Sequence, residues 1–161
     1  KKVNTLVILN TAHARTRIER NEVLVRVQQA EEFGPASTLE AALKRWFNTD
    51  FSSKNAEIMD KIRSWVMAND KDIYHEIYRL LAESDETLKD SISAIRCPTL
   101  VMTGEDDFGN SPKMTQRIAK LIPDARAEII SGLKHMGLVE NPEAFNSRII
   151  SFLQEVYRRT N

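Results

Sequence analysis

Cys97-Pro98-Thr99-Leu100-Val101-Met102-Thr103-Gly104-Glu105-Asp106-Asp107 is the stretch on which the fold turns. Leu100-Val101-Met102 is an unbroken apolar run. Such a run, without polar alternation, is the pattern of a strand covered on both faces in a parallel sheet. Pro98 stands at its entrance, where a missing N–H is tolerated. Cys97 beside it reads as a small buried residue and not as a reactive thiol. Gly104 ends the run, and Asp106 and Asp107 follow just past the strand's carboxyl end.

Working outward, the downstream sequence alternates helix and strand. Ser111-Pro112 is an N-cap and first-turn pair, and Met114, Ile118 and Leu121 continue that helix. Pro123-Asp124 makes a turn, and residues 127–130 form another short strand. Residues 132–140 read as a loop carrying His135. Pro142 opens a final helix whose buried face is Phe145, Ile149, Phe152, Leu153 and Val156. Upstream, residues 3–9 form an apolar strand expected to be covered on both faces. From Arg15 to Ile95 the period becomes helical. Ile18, Val23, Val27 and Ala30 mark one helix, stopped by Phe33-Gly34-Pro35. Ser37 and Glu40 suggest a capping box ahead of Leu39, Leu43, Trp46 and Phe47. Ile58, Ile62 and Trp65 mark a third helix, with Trp65 expected in the core of the cap. Ile73, Ile77, Leu80 and Leu81 mark a fourth, and Leu88, Ile92 and Ile95 a short last one. The expected organisation is a core strand in residues 1–14, a helical cap over 15–94 and an α/β core over 95–161. Strands alternating with helices imply a parallel sheet with flanking helices.

Composition narrows the function classes. Lys+Arg and Asp+Glu are both 23, so the formal net charge is zero. That balance, without a basic run, speaks against a nucleic-acid partner. The start, Lys1-Lys2 then Leu6-Val7-Ile8-Leu9, mimics a signal peptide, but Asn4, Thr5 and Asn10 break its apolar run. Nothing approaches the roughly 20 apolar residues of a membrane span. The single cysteine excludes an internal disulfide and fits a reducing, cytoplasmic setting. A chain that opens inside a core strand without an initiator methionine suggests a truncated piece or a proteolytic product. No His/Cys/Asp/Glu group has metal-ligand spacing, and no glycine-rich phosphate loop occurs. No metal and no cofactor are expected.

In open α/β sheets, ligands bind beyond the carboxyl ends of the strands. Asp106 and Asp107 follow one strand and His135 follows the next, and right-handed crossovers put both loops on one sheet edge. An Asp beside a His fixes the imidazole tautomer and stabilises the imidazolium that forms when it takes a proton. The order acid then His is that of the last two members of a Ser, acid, His triad.

The chain from Ile95 to Leu153 resembles the C-terminal core of the α/β-hydrolase superfamily. The resemblance rests on Cys97-Pro98-Thr99-Leu100-Val101, Gly104 to Asp107, Ile122-Pro123-Asp124-Ala125, His135 and Glu140-Asn141-Pro142-Glu143-Ala144-Phe145. Leu6-Val7-Ile8-Leu9-Asn10-Thr11 resembles the strand after the nucleophile helix. The resemblance implies Asp107 as the acid, by its place in Gly-x-x-Asp, with Asp106 as runner-up shaping the turn. It implies His135 as general base. Lys134 departs from the usual Gly before that histidine. The nucleophile elbow should read Gly-x-Ser-x-Gly, but Gly34, Gly104, Gly109, Gly132 and Gly137 include no pair four apart. The nucleophile and the oxyanion-hole donors are therefore expected outside this chain, which alone should be inactive.

Arg45-Trp46-Phe47, followed by Phe51, resembles the cap of the 3-oxoadipate enol-lactonase-like group, implying a small ester or lactone substrate. Trp46 is the substrate-binding candidate, with packing between cap helices as its competing role. His13, after the first strand, reads as a hinge or surface residue, and His75 as a solvated helix residue. C–C bond hydrolysis, perhydrolysis of the haloperoxidase type or dehalogenation would use the same acid and base. A truncated, non-catalytic interaction module is a further reading. An unrelated helical adaptor would leave Asp107 and His135 far apart. Loss of earlier strands would expose apolar surface and a strand edge, so self-association or pairing with a missing N-terminal half is expected.

Overall fold

Three parallel strands pair in chain order, and the computed structural model describes residues 3–88 and 90–160 around them. The basic pair Lys1-Lys2 of the leader-like start lies outside the described residues. The elements run β1 (Leu6–Leu9), α1 (Arg17–Phe33), α2 (Ala36–Trp46), α3 (Thr49–Lys54), α4 (Ala56–Met67) and α5 (Lys71–Leu88). A 3₁₀ turn (Ser91–Ala94) leads to β2 (Thr99–Gly104), α6 (Pro112–Leu121), β3 (Ala125–Ile130), α7 (Gly137–Glu140) and α8 (Pro142–Thr160). The chain divides into two compact units, one built on the sheet and one spanning Ala14–Leu88.

In the sheet unit β2 is central. Leu6 pairs with Thr99 and Leu9 with Met102 on one side, while Thr99 pairs with Ala125 and Gly104 with Ile130 on the other. Every residue of β2 is buried. Its alternate side chains serve opposite faces. Leu100 and Met102 pack with Ile130, Leu133, Phe145, Phe152 and Val156, whereas Val101 packs with Ile118 and Ile122. Cys97 is buried at the strand entrance, and its thiol is free.

Several expectations are corrected here. β1 is half-buried along its length, because it is the outer strand of this sheet with β2 on one side only. Ile92 and Ile95 do not continue a cap helix. They pack against the Val101, Ile118 and Ile122 cluster of the sheet unit. The loop after β3 contains a short helix, α7. On α8, Phe145, Phe152 and Val156 are buried and Ile149 is partly so, but Leu153 is 44% exposed. Leu153 follows Phe152 by one residue, which turns it about 100° off the buried stripe.

The helical unit is built from α1 to α5. The capping box is at α1 and not at α2. Thr16 Oγ1 accepts from the Glu19 N–H, and Glu19 accepts from the Thr16 N–H. Gly34, at φ 78°, ends α1, and Pro35 precedes α2 directly. Ser37 therefore lies inside the first turn of α2, where its hydroxyl donates to the Gln29 and Gly34 carbonyls. Glu40 is bound by Arg63 instead of capping. Val23, Val27 and Ala82 join α1 to α5. Arg15 and Asp85 form a buried ion pair at 3.0 Å, and Arg15 Nη1 also donates to the Leu81 carbonyl. Leu39, Leu43, Phe47, Met59 and Ile62 are buried.

Trp65, read as core, is not, and the apolar stripe that marks α5 faces outward as well. Ile73, Ile77, Leu80 and Leu81 of α5 are exposed, and Trp65 of α4 is 60% exposed with Lys61 over its ring. The helical period on α5 is real, but α5 turns Tyr78, Ala82 and Asp85 toward its neighbours. A larger apolar stripe does not by itself decide which side a helix buries. His75 is also less solvated than expected. Its side chain is only 15% exposed, with Nε2 3.4 Å from Glu76.

Candidate active site

Gly104 creates the room in which the two loops meet. A Cβ on it would lie 2.1 Å from the Leu133 carbonyl oxygen and 2.6 Å from its carbon. Only glycine permits so close a backbone approach. The Glu105 N–H donates to the Ile130 carbonyl at 2.8 Å, and the Asp106 N–H to the Leu133 carbonyl at 2.9 Å. These bonds tie the acid loop to the start of the histidine loop. Gly132 turns that loop at φ 68°, and the Leu133 side chain anchors it in the core. Gly137 lets it pass the Phe145 ring, since a Cβ there would sit 2.9 Å from Cε2.

The result is a carboxylate–imidazole pair. Asp107 Oδ2 lies 2.8 Å from His135 Nδ1. Asp107 is 2% exposed, whereas the His135 side chain is 28% exposed. An ionised carboxylate can only accept, so Nδ1 carries the proton and donates. Nε2 is then the basic nitrogen of the neutral ring. Asn110 Nδ2 stands 3.4 Å from the same Nδ1, but it donates to the Asn10 carbonyl at 2.8 Å.

Three neutral residues complete the acid's surroundings. The Asn110 N–H donates to Asp107 Oδ1 at 2.9 Å. Asn10 Nδ2 donates to Asp107 Oδ2 at 3.2 Å, and Thr103 Oγ1 lies 3.3 Å from that oxygen. Burial pushes the Asp107 carboxyl up and is the largest single influence. The His135 bond and charge, with the Asn110 and Asn10 donors, outweigh it and hold the carboxyl below its ordinary value.

Asp107 and His135 are thus brought together, which excludes the unrelated adaptor that required them far apart. Asp106 is half-buried and shapes the turn through its backbone. Trp46 lies in the helical unit at the end of α2, half-buried. His13 is corrected: it is 5% exposed, and its carbonyl accepts from Arg117 Nη1 at 3.0 Å. Asn10, Thr103 and Asn110 were not foreseen. The one signal was Asn10 itself, a polar residue closing an apolar strand.

No family model matches the chain. It is 28% identical over 152 residues to an (E)-2-((N-methylformamido)methylene)succinate hydrolase of Acinetobacter baylyi, covering 94% of this chain and 56% of that protein. It is 24% identical over 131 residues to 3-oxoadipate enol-lactonase 1 of the same organism, covering 81% of this chain and 48% of that one. Among solved structures it is similar to the enol-lactonase from Burkholderia xenovorans LB400, with a TM-score of 0.84 at 24% identity. That alignment covers 94% of this chain and 56% of the solved one. The chain therefore spans about half the length of the relatives it matches. It has the α/β-hydrolase fold, of which it carries the C-terminal portion.

Proposed function

We propose that the chain supplies the acid–base half of a serine-type α/β hydrolase acting on a small ester or lactone. The observation that carries this reading is the 2.8 Å contact between Asp107 Oδ2 and His135 Nδ1 beyond the strand ends. The similarity to hydrolases named for lactone and succinate-derived substrates supports the substrate class. A serine supplied by sequence outside this chain attacks the carbonyl. His135 Nε2 takes its proton, and Asp107 stays ionised and stabilises the imidazolium. The imidazolium then protonates the departing alkoxide, and water resolves the acyl intermediate by the same route in reverse. Trp46 is proposed to contact substrate. No cofactor is needed.

The same acid and base serve C–C bond hydrolysis or haloperoxidase chemistry, and the nucleophile and the cap pocket are what separate these from ester hydrolysis. A non-catalytic module is the second reading, favoured by the apolar residues that α5 leaves exposed. We place the protein in the cytoplasm on the strength of its single, free cysteine. Among the described residues no helix is long and apolar enough to cross a membrane.

The test takes the full reading frame and a panel of nitrophenyl esters and lactones. A Gly-x-Ser-x-Gly elbow encoded ahead of Lys1, with turnover lost in His135→Ala, is the expected result. Absence of the elbow, or turnover that survives His135→Ala, overturns the reading.

A further inference from the structure

Asn10 reaches Asp107 from the end of β1, and its backbone is set for that purpose. The Asn10 N–H donates to the Met102 carbonyl at 2.9 Å, one step beyond the last pair of the β1–β2 register. Its φ is 47°, in the left-handed region that asparagine tolerates better than most residues. This conformation brings Nδ2 to 3.2 Å from Asp107 Oδ2 and 3.2 Å from Thr103 Oγ1. The Asn10 carbonyl accepts from Asn110 Nδ2 at 2.8 Å, while the Asn110 N–H holds Asp107 Oδ1 at 2.9 Å. The two asparagines grip one carboxylate, an oxygen each, and also grip one another.

The orientation of the Asn10 amide follows from the charge it faces. Its Oδ1 is buried and has no partner among the described residues. Turning the amide over would set that oxygen against a carboxylate oxygen, which repels it. Thr103 cannot replace Asn10. Its one hydroxyl proton is divided between Asp107 Oδ2 at 3.3 Å and the Asn110 carbonyl at 3.2 Å. A neutral amide also has an advantage over a cation at this place. It restrains the carboxylate without cancelling the negative charge that the imidazolium needs.

We propose that Asn10 is a positioning residue for the acid–base pair. Its amide holds Asp107 in the rotamer that presents Oδ2 to His135 Nδ1, and Asn110 holds Asn10 in place. The proposal rests on the reading of Asp107 and His135 as acid and base. The elements around the carboxylate carry several titratable or charged groups. Glu105 and Asp106 lie on its own loop, His13 follows β1, Arg117 lies on α6, and Lys134 and His135 lie on the loop after β3. His135 is bonded to its Oδ2.

Two variants of the full-length protein separate positioning from backbone strain. Asn10→Gly deletes the amide and is at ease at φ 47°. It is expected to lower kcat about ten-fold with KM within about two-fold. In ¹⁵N-histidine spectra, the His135 signal is expected to move from the Nδ1–H form toward a mixture of tautomers. If backbone strain were the whole role, neither readout would change, and that result overturns the proposal. Asn10→Asp keeps the shape and the left-handed tolerance but sets a second carboxylate against Asp107. The added charge favours the imidazolium, so the acid limb of kcat/KM should move to higher pH. An unmoved limb overturns the proposal as well. If the full-length protein hydrolyses nothing, the hydrolase reading fails. The tautomer spectra then decide the positioning role alone.

Discussion

Asp107 shows how a buried carboxylate stays charged. Its own burial opposes ionisation, while His135, Asn110 and Asn10 favour it and prevail. Because its folded pKa lies below the unfolded one, the group stabilises the fold above its ordinary value of about 4. That contribution is lost as pH falls through the depressed value. The stability gap between native protein and Asp107→Asn in urea melts should therefore be widest near neutrality and shrink below about pH 4. The same substitution gives His135 a neutral partner that no longer fixes the Nδ1–H tautomer. On the proposed hydrolase reading, turnover by the full-length protein should drop by about 10⁴-fold, as for the equivalent change in a serine protease triad. Steady-state rates on a nitrophenyl ester would measure it.

Elements place those side chains, and one contact carries much of that placement. Gly104 allows the acid loop and the histidine loop to touch, with a Leu133 carbonyl 2.1 Å from where a Cβ would stand. The obstacle is backbone and cannot swing aside. Gly104→Ala should cost about 3 kcal/mol, read as a lower urea midpoint, and should move His135 off Asp107. In the helical unit, Arg15 and Asp85 are buried together with side chains 4% and 8% exposed. Asp85→Ala would strand the guanidinium, at a cost of about 3–5 kcal/mol by thermal or urea unfolding. The capping box at Thr16 is a smaller effect. Thr16→Ala should cost about 1 kcal/mol, without touching the sheet unit.

At the scale of the molecule, the burial is uneven. The α5 face of Ile73, Ile77, Leu80 and Leu81 is exposed, and β1 is a half-buried outer strand. Apolar surface and an unpaired strand edge both favour association. Expressed alone, the chain should elute or sediment as a dimer or larger species, and co-expression with the rest of its reading frame should suppress this. A monodisperse monomer without a partner would contradict the expectation.

The local chemistry of the sequence was enough for the sheet. The Leu100-Val101-Met102 run, the proline at its entrance and the alternating helices specify a buried parallel strand, because a continuous apolar run has no solvent face to offer. Asp107 and His135 were legible for a related reason: each follows a strand on the same edge, and topology brings successive loops there together. Burial within the helical unit was legible in part: Val23, Val27, Ala30, Leu39, Leu43, Phe47 and Ile62 are buried as their spacing suggests. Ile73, Ile77 and Trp65 have the right period but face outward, since period fixes that a helix has a face and not what meets it. Asn10 was hidden for a deeper reason. Its partner lies 97 positions along the chain, and only the register of β1 against β2, with a left-handed turn at the strand's end, sets its amide against the acid.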